Sequence, residues 1–175
     1  MIQVREALDT DVPGITAVYA REVLEGAASY EYEAPGESEM GRRMRAVLDA
    51  GYPYLVAELD GLLGGYAYAS AYRNRAGYRW TVEDTVYVAP ASAGQGVGSA
   101  LLGRLIEQCE FRGFRQMVAV IGDAGNAPSV SLHRKHGFET VGIFKGLGRK
   151  HGRWLDNLQM QRALGAGCSQ PPTEP

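Results

Sequence analysis

The chain has 175 residues, 45% of them hydrophobic, and a formal net charge of −2, which suits a single domain with a buried core. Eighteen Lys and Arg are outnumbered by 20 Asp and Glu, so no positive surplus exists to neutralise a phosphate backbone, and nucleic acid is excluded as a partner. Cys109 and Cys168 suggest neither a disulfide framework nor a metal-ligand pair, the charged opening MIQVREALDTD does not read as a secretory leader, and no apolar run reaches the ~20 residues of a membrane span; a cytoplasmic protein with no membrane contact is expected.

Residues 2 to 5 alternate apolar and polar as a short strand does, and Asp9 to Asp11 offer caps for a helix that tolerates Pro13 in its first turn. Its apolar stripe is Ile15, Val18, Tyr19, Val23 and Leu24. GAASYEYEAPG, from Gly26 to Gly36, has no helical period and reads as a loop able to carry binding groups. A second helix is expected from about Glu37 to Ala50.

YLVAEL and LLGGYAYASAY flank Asp60-Gly61, a hairpin signal because both central positions need positive φ. YRWTVEDTVYVAP, residues 78 to 90, is expected as a third long strand that stops at Pro90. Alternation along it puts Glu83 with Arg79, Thr81, Thr85 and Tyr87 on a face expected to meet solvent, opposite Trp80, Val82, Val86 and Val88.

GQGVGSALLGRLIEQ follows, and in it Leu101, Leu102, Leu105 and Ile106, with Cys109 beyond, share one face of a helix that Gly113 ends. QMVAVIG, 116 to 122, reads as a strand buried on both faces, and a short helix runs from about Ala127 to His136, stopping at Gly137. FETVGIFK and RWLDNLQMQRAL are two further strands joined through GLGRKHG. The order describes a mixed α/β domain over residues 1 to 164, with residues 165 to 175, GAGCSQPPTEP, expected to be disordered.

The glycines at 94, 96 and 98 fit neither G-x-G-x-x-G frame, since Ser99 and Leu101 stand where the third glycine belongs, and the loop lacks the Lys-Ser/Thr of a P-loop. What remains is a loop whose backbone N–H groups can converge on an anion at a positively polarised helix start. Phosphate or pyrophosphate is its natural guest; a tight strand-to-helix turn with no ligand is the alternative.

VYVAP with GQGVGSALL, followed by VAVIGDAGNAPSVSLHRKHGFE, resembles the GCN5-related N-acetyltransferase (GNAT) family at its acetyl-CoA pyrophosphate loop and its Asn-containing helix. GYAYASAYRNRAGYRWTVEDTVYV and KHGRWLD extend the resemblance to the phosphinothricin and methionine sulfoximine/sulfone N-acetyltransferase branch, over residues 2 to 163. The resemblance implies a twisted mixed sheet of about seven strands flanked by about four helices. It implies acetyl-CoA as co-substrate, no metal, a small amino acid-like amine as acceptor, direct attack in a ternary complex, and a homodimer. Val86, Tyr87 and Val88 would offer backbone hydrogen bonds to the pantetheine arm, as an added strand edge does. Gly94, Gln95, Gly96, Val97, Gly98 and Ser99 would hold the pyrophosphate, and Asn126 the amide arm. The family's loop opens with Gln or Arg and continues with a basic residue; Ala93 and Gly94 stand there in this chain, which removes a charge-assisted contact.

An amine of lysine-like pKa, about 10.4, is neutral in only about four molecules in ten thousand at pH 7, so acetyl transfer to it wants a base nearby. Glu83 matches the branch's base. His133, two turns after Asn126 and on its face, holds a position where many members carry a Tyr acid, and an imidazole can act as acid or base. The alternatives are a solvent-face charge for Glu83 and a packing histidine for His133. His136 with His133 lacks a third metal ligand at a telling spacing.

Arg73 and Arg75, with Asn74 between them, would meet an acceptor carboxylate; Tyr30 would cover the substrate, and Asp84 and Thr85 would line its site beside Glu83. His151 reads as a structural residue of a connecting loop, and Trp80 and Trp154 as core or pocket-wall aromatics. A protein or polyamine acetyltransferase is the runner-up, against which the cluster Arg73, Arg75 and Arg79 weighs, since a polyamine wants an acidic groove. A non-catalytic acyl-CoA sensor is the reading from another class.

Overall fold

The computed structural model describes residues 1–172. Its strands are β1 (Ile2–Glu6), β2 (Tyr54–Leu59), β3 (Leu62–Ala71), β4 (Thr81–Val88), β5 (Gln116–Ile121), β6 (Glu139–Lys150) and β7 (Arg153–Ala163), and its α-helices are α1 (Val12–Glu25), α2 (Glu37–Asp49), α3 (Val97–Phe111) and α4 (Ala127–Lys135). The strands form one sheet in the order β1-β2-β3-β4-β5-β7-β6, antiparallel throughout except for β4 beside β5. The expected mixed sheet of seven strands with four helices is what the chain builds.

Period-2 alternation divides the core. Leu55 and Ala57 of β2, Ala67 and Ala69 of β3 and Val82 of β4 face the apolar side of α3, where Leu101, Leu102 and Leu105 are wholly buried. Tyr54 and Val56 of β2 and Tyr66 of β3 face Ile15, Tyr19 and Val23 of α1 and Met40 and Met44 of α2. The helices therefore cover both faces, and the side of β4 carrying Glu83, Thr85 and Tyr87 does not meet open solvent as alternation alone suggests. Leu24 ends its helix 61% exposed, outside the stripe expected to hold it.

Local signals placed most elements. Asp60 and Gly61 adopt φ of 52° and 83° and turn β2 into β3. Two elements differ from expectation. Residues 76–78 wind into a short 3₁₀ turn, so β4 begins at Thr81 rather than at Tyr78. The segment GLGRK continues β6, and the connection to β7 is only His151-Gly152, with φ of 48° and 76°. Of the expected disordered tail, residues 165–172 are described, with turn hydrogen bonds from Gly167 to Leu164 and from Ser169 to Ala166; residues 173–175 lie outside the described residues.

Asp11 precedes α1 but does not cap it with its side chain. Its carboxylate turns back to accept from Arg5 Nη1 at 2.7 Å and Nη2 at 2.8 Å and from the Leu8 amide at 2.7 Å, while Arg5 also reaches Glu58 on β2 at 2.6 Å. Bidentate pairing to a guanidinium outcompetes a neutral cap. The Arg5 hydrogen bonds hold the Asp11 carboxyl below its usual pKa, against the opposing effect of burial. A depressed folded pKa contributes stability that is complete above the unfolded value of about 3.9 and is lost as pH falls through the folded one. Replacing Arg5 with Met should cost about 1–3 kcal/mol at pH 7 and flatten the stability curve below about pH 4, as read by denaturant melts across pH.

Candidate active site

β4 and β5 pair only from Thr81 with Gln116 to Asp84 with Ala119. Beyond Asp84, β4 stays paired with β3 as far as Val88, so its other edge is left open where the two strands part. β5 meanwhile continues along β7 to Ile121. Two adjoining spaces, both lined by Val86, Tyr87, Asn126 and Ser129, occupy the fork.

The larger, about 650 Å³, runs along Val86, Tyr87 and Val88 and under the start of α3, where it meets Gly94, Gly96, Gly98 and Ser99. Gly96 caps α3 with φ 89°, a left-handed conformation that costs glycine nothing. The first-turn amides of Val97, Gly98 and Ser99 have no acceptor within the helix, so the helix start offers backbone donors and positive potential. Gln95 turns away, its side-chain amide bonded to the Ala91 carbonyl at 2.7 Å. Arg21 of α1 and Lys135 at the end of α4 line the same cleft. These two cations were not picked out by sequence reasoning; Arg21 is paired with Glu25 at 3.0 Å, and Glu22 and Glu25 line the cleft beside it, so its wall carries charges of both signs.

The smaller space, about 150 Å³, lies at the closed end of the fork and is lined by Glu83, Asp84 and Thr85 of β4, Gly122 after β5, and Asn126 and His133 of α4. Burial pushes the Glu83 carboxyl above its ordinary pKa, and the charge of Asp84 adds to the effect. Asn126 caps α4, its side chain accepting from the Ser129 amide at 3.2 Å, and it borders both spaces.

His133 is buried and fully engaged. Its Nδ1 donates to the Ser129 carbonyl at 2.7 Å and its Nε2 to Asp84 Oδ2 at 3.0 Å, with the Phe138 ring edge-on at 5.0 Å. Acceptors at both nitrogens call for the doubly protonated ring. Burial alone lowers the pKa of His133, but the hydrogen bond and charge of Asp84 and the Ser129 carbonyl outweigh it, and the net shift is upward. His136 bonds Ser99 Oγ through Nε2 at 2.9 Å and so steadies the start of α3. Among the described residues no cluster of His, Cys, Asp and Glu could hold a metal ion.

The loop at residues 26–36 roofs both spaces through Ala28. Tyr30 donates to the Gly122 carbonyl and its ring lies where a β-carbon of Gly148 would be, so it anchors the roof rather than lining either space. Three further bonds tie the roof to β6 and its turn: Lys150 Nζ to the Ser29 carbonyl at 2.5 Å, Tyr32 to the Arg149 carbonyl at 2.6 Å, and His151 to the Gly26 carbonyl at 2.8 Å. Arg73, Asn74 and Arg75 are not brought into either space; they form an exposed turn after β3, with Arg73 packed on Tyr72 at 5.2 Å and Tyr78 at 5.8 Å. Trp154, expected as a core or wall aromatic, is 68% exposed on β7.

The Acetyltransferase (GNAT) domain model matches residues 4–159. The chain is 52% identical over 169 residues to a phosphinothricin N-acetyltransferase of Alcaligenes faecalis, covering 97% of this chain and 86% of the relative. It is 41% identical to an L-methionine sulfoximine/L-methionine sulfone acetyltransferase of Pseudomonas paraeruginosa, covering 96% and 98% of the two. Among solved structures, a phosphinothricin acetyltransferase of Sinorhizobium meliloti in complex with acetyl-CoA superimposes with a TM-score of 0.96 at 49% identity, over 99% of this chain and 94% of that one.

The upward shift of His133 has a measurable sign. Its stabilisation is complete below the unfolded value of about 6.5 and is lost as pH rises through the folded pKa. In an NMR titration its Cε1 proton should show a midpoint above 6.5, and Asp84→Asn should bring that midpoint down; a midpoint that does not move would remove Asp84 as the cause.

Proposed function

The chain belongs to the GNAT acetyltransferase family and is an N-acetyltransferase that uses acetyl-CoA; on that basis we propose that its acceptor is the amine of a small amino acid-like molecule of the phosphinothricin or methionine sulfoximine/sulfone type. The observation that carries this reading is the fork itself. A cleft bordered by an unpaired strand edge and a helix start suits a long amide-bearing pyrophosphate ester, and it adjoins a small space whose two carboxylates suit an ammonium.

In this reading the open edge at Val86, Tyr87 and Val88 holds the amide arm with help from Asn126. The amides at 94 to 99 take the pyrophosphate, with Lys135 standing on the cleft wall. When bound, acetyl-CoA supplies an acetyl thioester. Glu83 takes a proton from the acceptor ammonium, directly or through a water, and its raised pKa makes it a better base near neutrality. His133, held between Ser129 and Asp84, acts by its charge and position. Arg73 and Arg75 stay our proposed ligands for the acceptor carboxylate, since their turn leaves β3 just beyond Ser70, the register partner of Glu83. A cytoplasmic setting belongs to the same proposal and is supported by two free cysteines.

We also propose a homodimer. β6 is an edge strand, and Val141, Ile143, Phe144, Leu147 and Trp154 are exposed apolar side chains along β6 and β7; an edge so furnished suits pairing with a second copy. Phe144→Glu should convert a dimer to a monomer in light scattering, and a wild-type protein that scatters as a monomer at micromolar concentration would overturn the dimer.

The central test is thiol release from acetyl-CoA with phosphinothricin, methionine sulfoximine, methionine sulfone, polyamines and peptides as acceptors. The amino acid analogues should turn over and the polyamines and peptides should not. Glu83→Gln should lower kcat by about 10²–10⁴-fold with acetyl-CoA affinity unchanged in calorimetry; full turnover by the variant would remove Glu83 from the reaction.

A further inference from the structure

We infer that Asp84 is a second carboxylate ligand for the acceptor amine, receiving an ammonium N–H on the oxygen that His133 leaves free. The inference rests on the reading of the smaller space as the acceptor site.

The geometry begins with the fork. Neighbouring residues on a strand point to opposite faces, yet Glu83 and Asp84 both border one space, because that space opens at the strand's edge where β5 departs. Asp84 is the last residue of β4 in register with β5, its partner being Ala119. Its side chain is 2% exposed.

Only one of its oxygens is engaged. Oδ2 accepts from His133 at 3.0 Å, whereas Oδ1 is buried and has no hydrogen-bond partner among the described residues. Nearby donors are committed elsewhere: both nitrogens of His133 are in use, and the Ser129 amide is held by Asn126. A carboxylate oxygen buried without a donor is costly, so Oδ1 calls for a donor from outside the chain, and an ammonium entering the adjoining space can supply it.

Charge points the same way. Two carboxylates and one imidazolium give the closed end one negative charge in excess, which an entering ammonium cancels. A carboxylate or a neutral alcohol cancels nothing. The bond to His133 fixes the Asp84 carboxylate, so its free oxygen is held in place before the acceptor arrives, and Glu83 is left as the carboxylate able to take the proton. Asp84 thus binds and orients the nitrogen while Glu83 deprotonates it.

Asp84→Asn tests this sharply, because an asparagine whose oxygen still accepts from His133 must turn its NH₂ group toward the ammonium. The comparison is between phosphinothricin and its analogue with hydrogen in place of the amino group, measured as ligands of the acetyl-CoA-loaded enzyme. The wild type should prefer the amine, and in Asp84→Asn that preference should collapse by about 10- to 100-fold while the affinity for the deaminated analogue and for acetyl-CoA stays the same. An equal loss for both ligands, or an unchanged preference, would overturn the inference. Should the variant fail to fold, the wild type decides: the His133 imidazole resonance should shift with the amine and not with the deaminated analogue, and an identical response to both overturns it. Failure of the wild type to turn over any amine would sink the functional reading and this inference together, whereas turnover with an unaltered preference in the variant sinks this inference alone.

Discussion

The parting of β4 from β5 after Asp84 and Ala119 is the constraint on which the rest of the molecule turns. A central strand that abandons a neighbour midway leaves backbone donors and acceptors with no ladder to join, a costly arrangement inside a protein. The fold tolerates it because the gap is built to be filled. α3 begins at the mouth with free amides, α4 lies across the closed end with Asn126 at its cap, and the roof loop covers the opening. Each of these would be a poorly satisfied end or loop elsewhere, and here each faces the same space.

The roof depends on the far side of the sheet. Lys150 is buried, which lowers its pKa against the opposing charges of Glu22 and Glu31, and it reaches the Ser29 carbonyl across 121 residues of chain. Tyr19 bonds Ser29 and Glu31 from below, and Arg43 of α2 bonds Glu31 at 2.6 Å. A loop with so many side-chain ties to α1, α2 and β6 is positioned by the fold as a whole, which is how an irregular segment can border a site of fixed shape.

Much of this architecture was legible because its signals are local. Asp60-Gly61, Gly113 and Gly137 mark ends that depend on backbone conformation alone, and the buried face of α3 follows from helical spacing. The glycine turn before α3 was legible for the same reason, whereas the capping bond of Asn126 is a finding of the structure. The misplaced features depend on distant partners. Asp11 does not cap α1 because Arg5 claims its carboxylate, and Glu83 is partly withdrawn from solvent because it borders a space that the loop at Ala28 roofs. GLGRK reads as a connector by composition but pairs with β7, as Gly148 does with Leu155. The Asp84–His133 pair joins residues 49 apart and exists only once α4 is laid over the fork. Arg21 and Lys135 come to the cleft from two helices whose charged residues look like any solvated face.

Tyr30 shows how such distant ties restrict change. A β-carbon at Gly122 would come within 2.9 Å of the Ala28 carbonyl and 3.3 Å of the Tyr30 ring, and one at Gly148 would overlap that ring. A side chain at 122 is barred first by the backbone carbonyls of Ala28 and Ala27, but positions 30 and 148, on separate segments, share one volume. Over evolutionary time they form a single unit of variation: a side chain at 148 is admissible only with a smaller residue at 30, and losing the tyrosine first opens a route that gaining the side chain first does not.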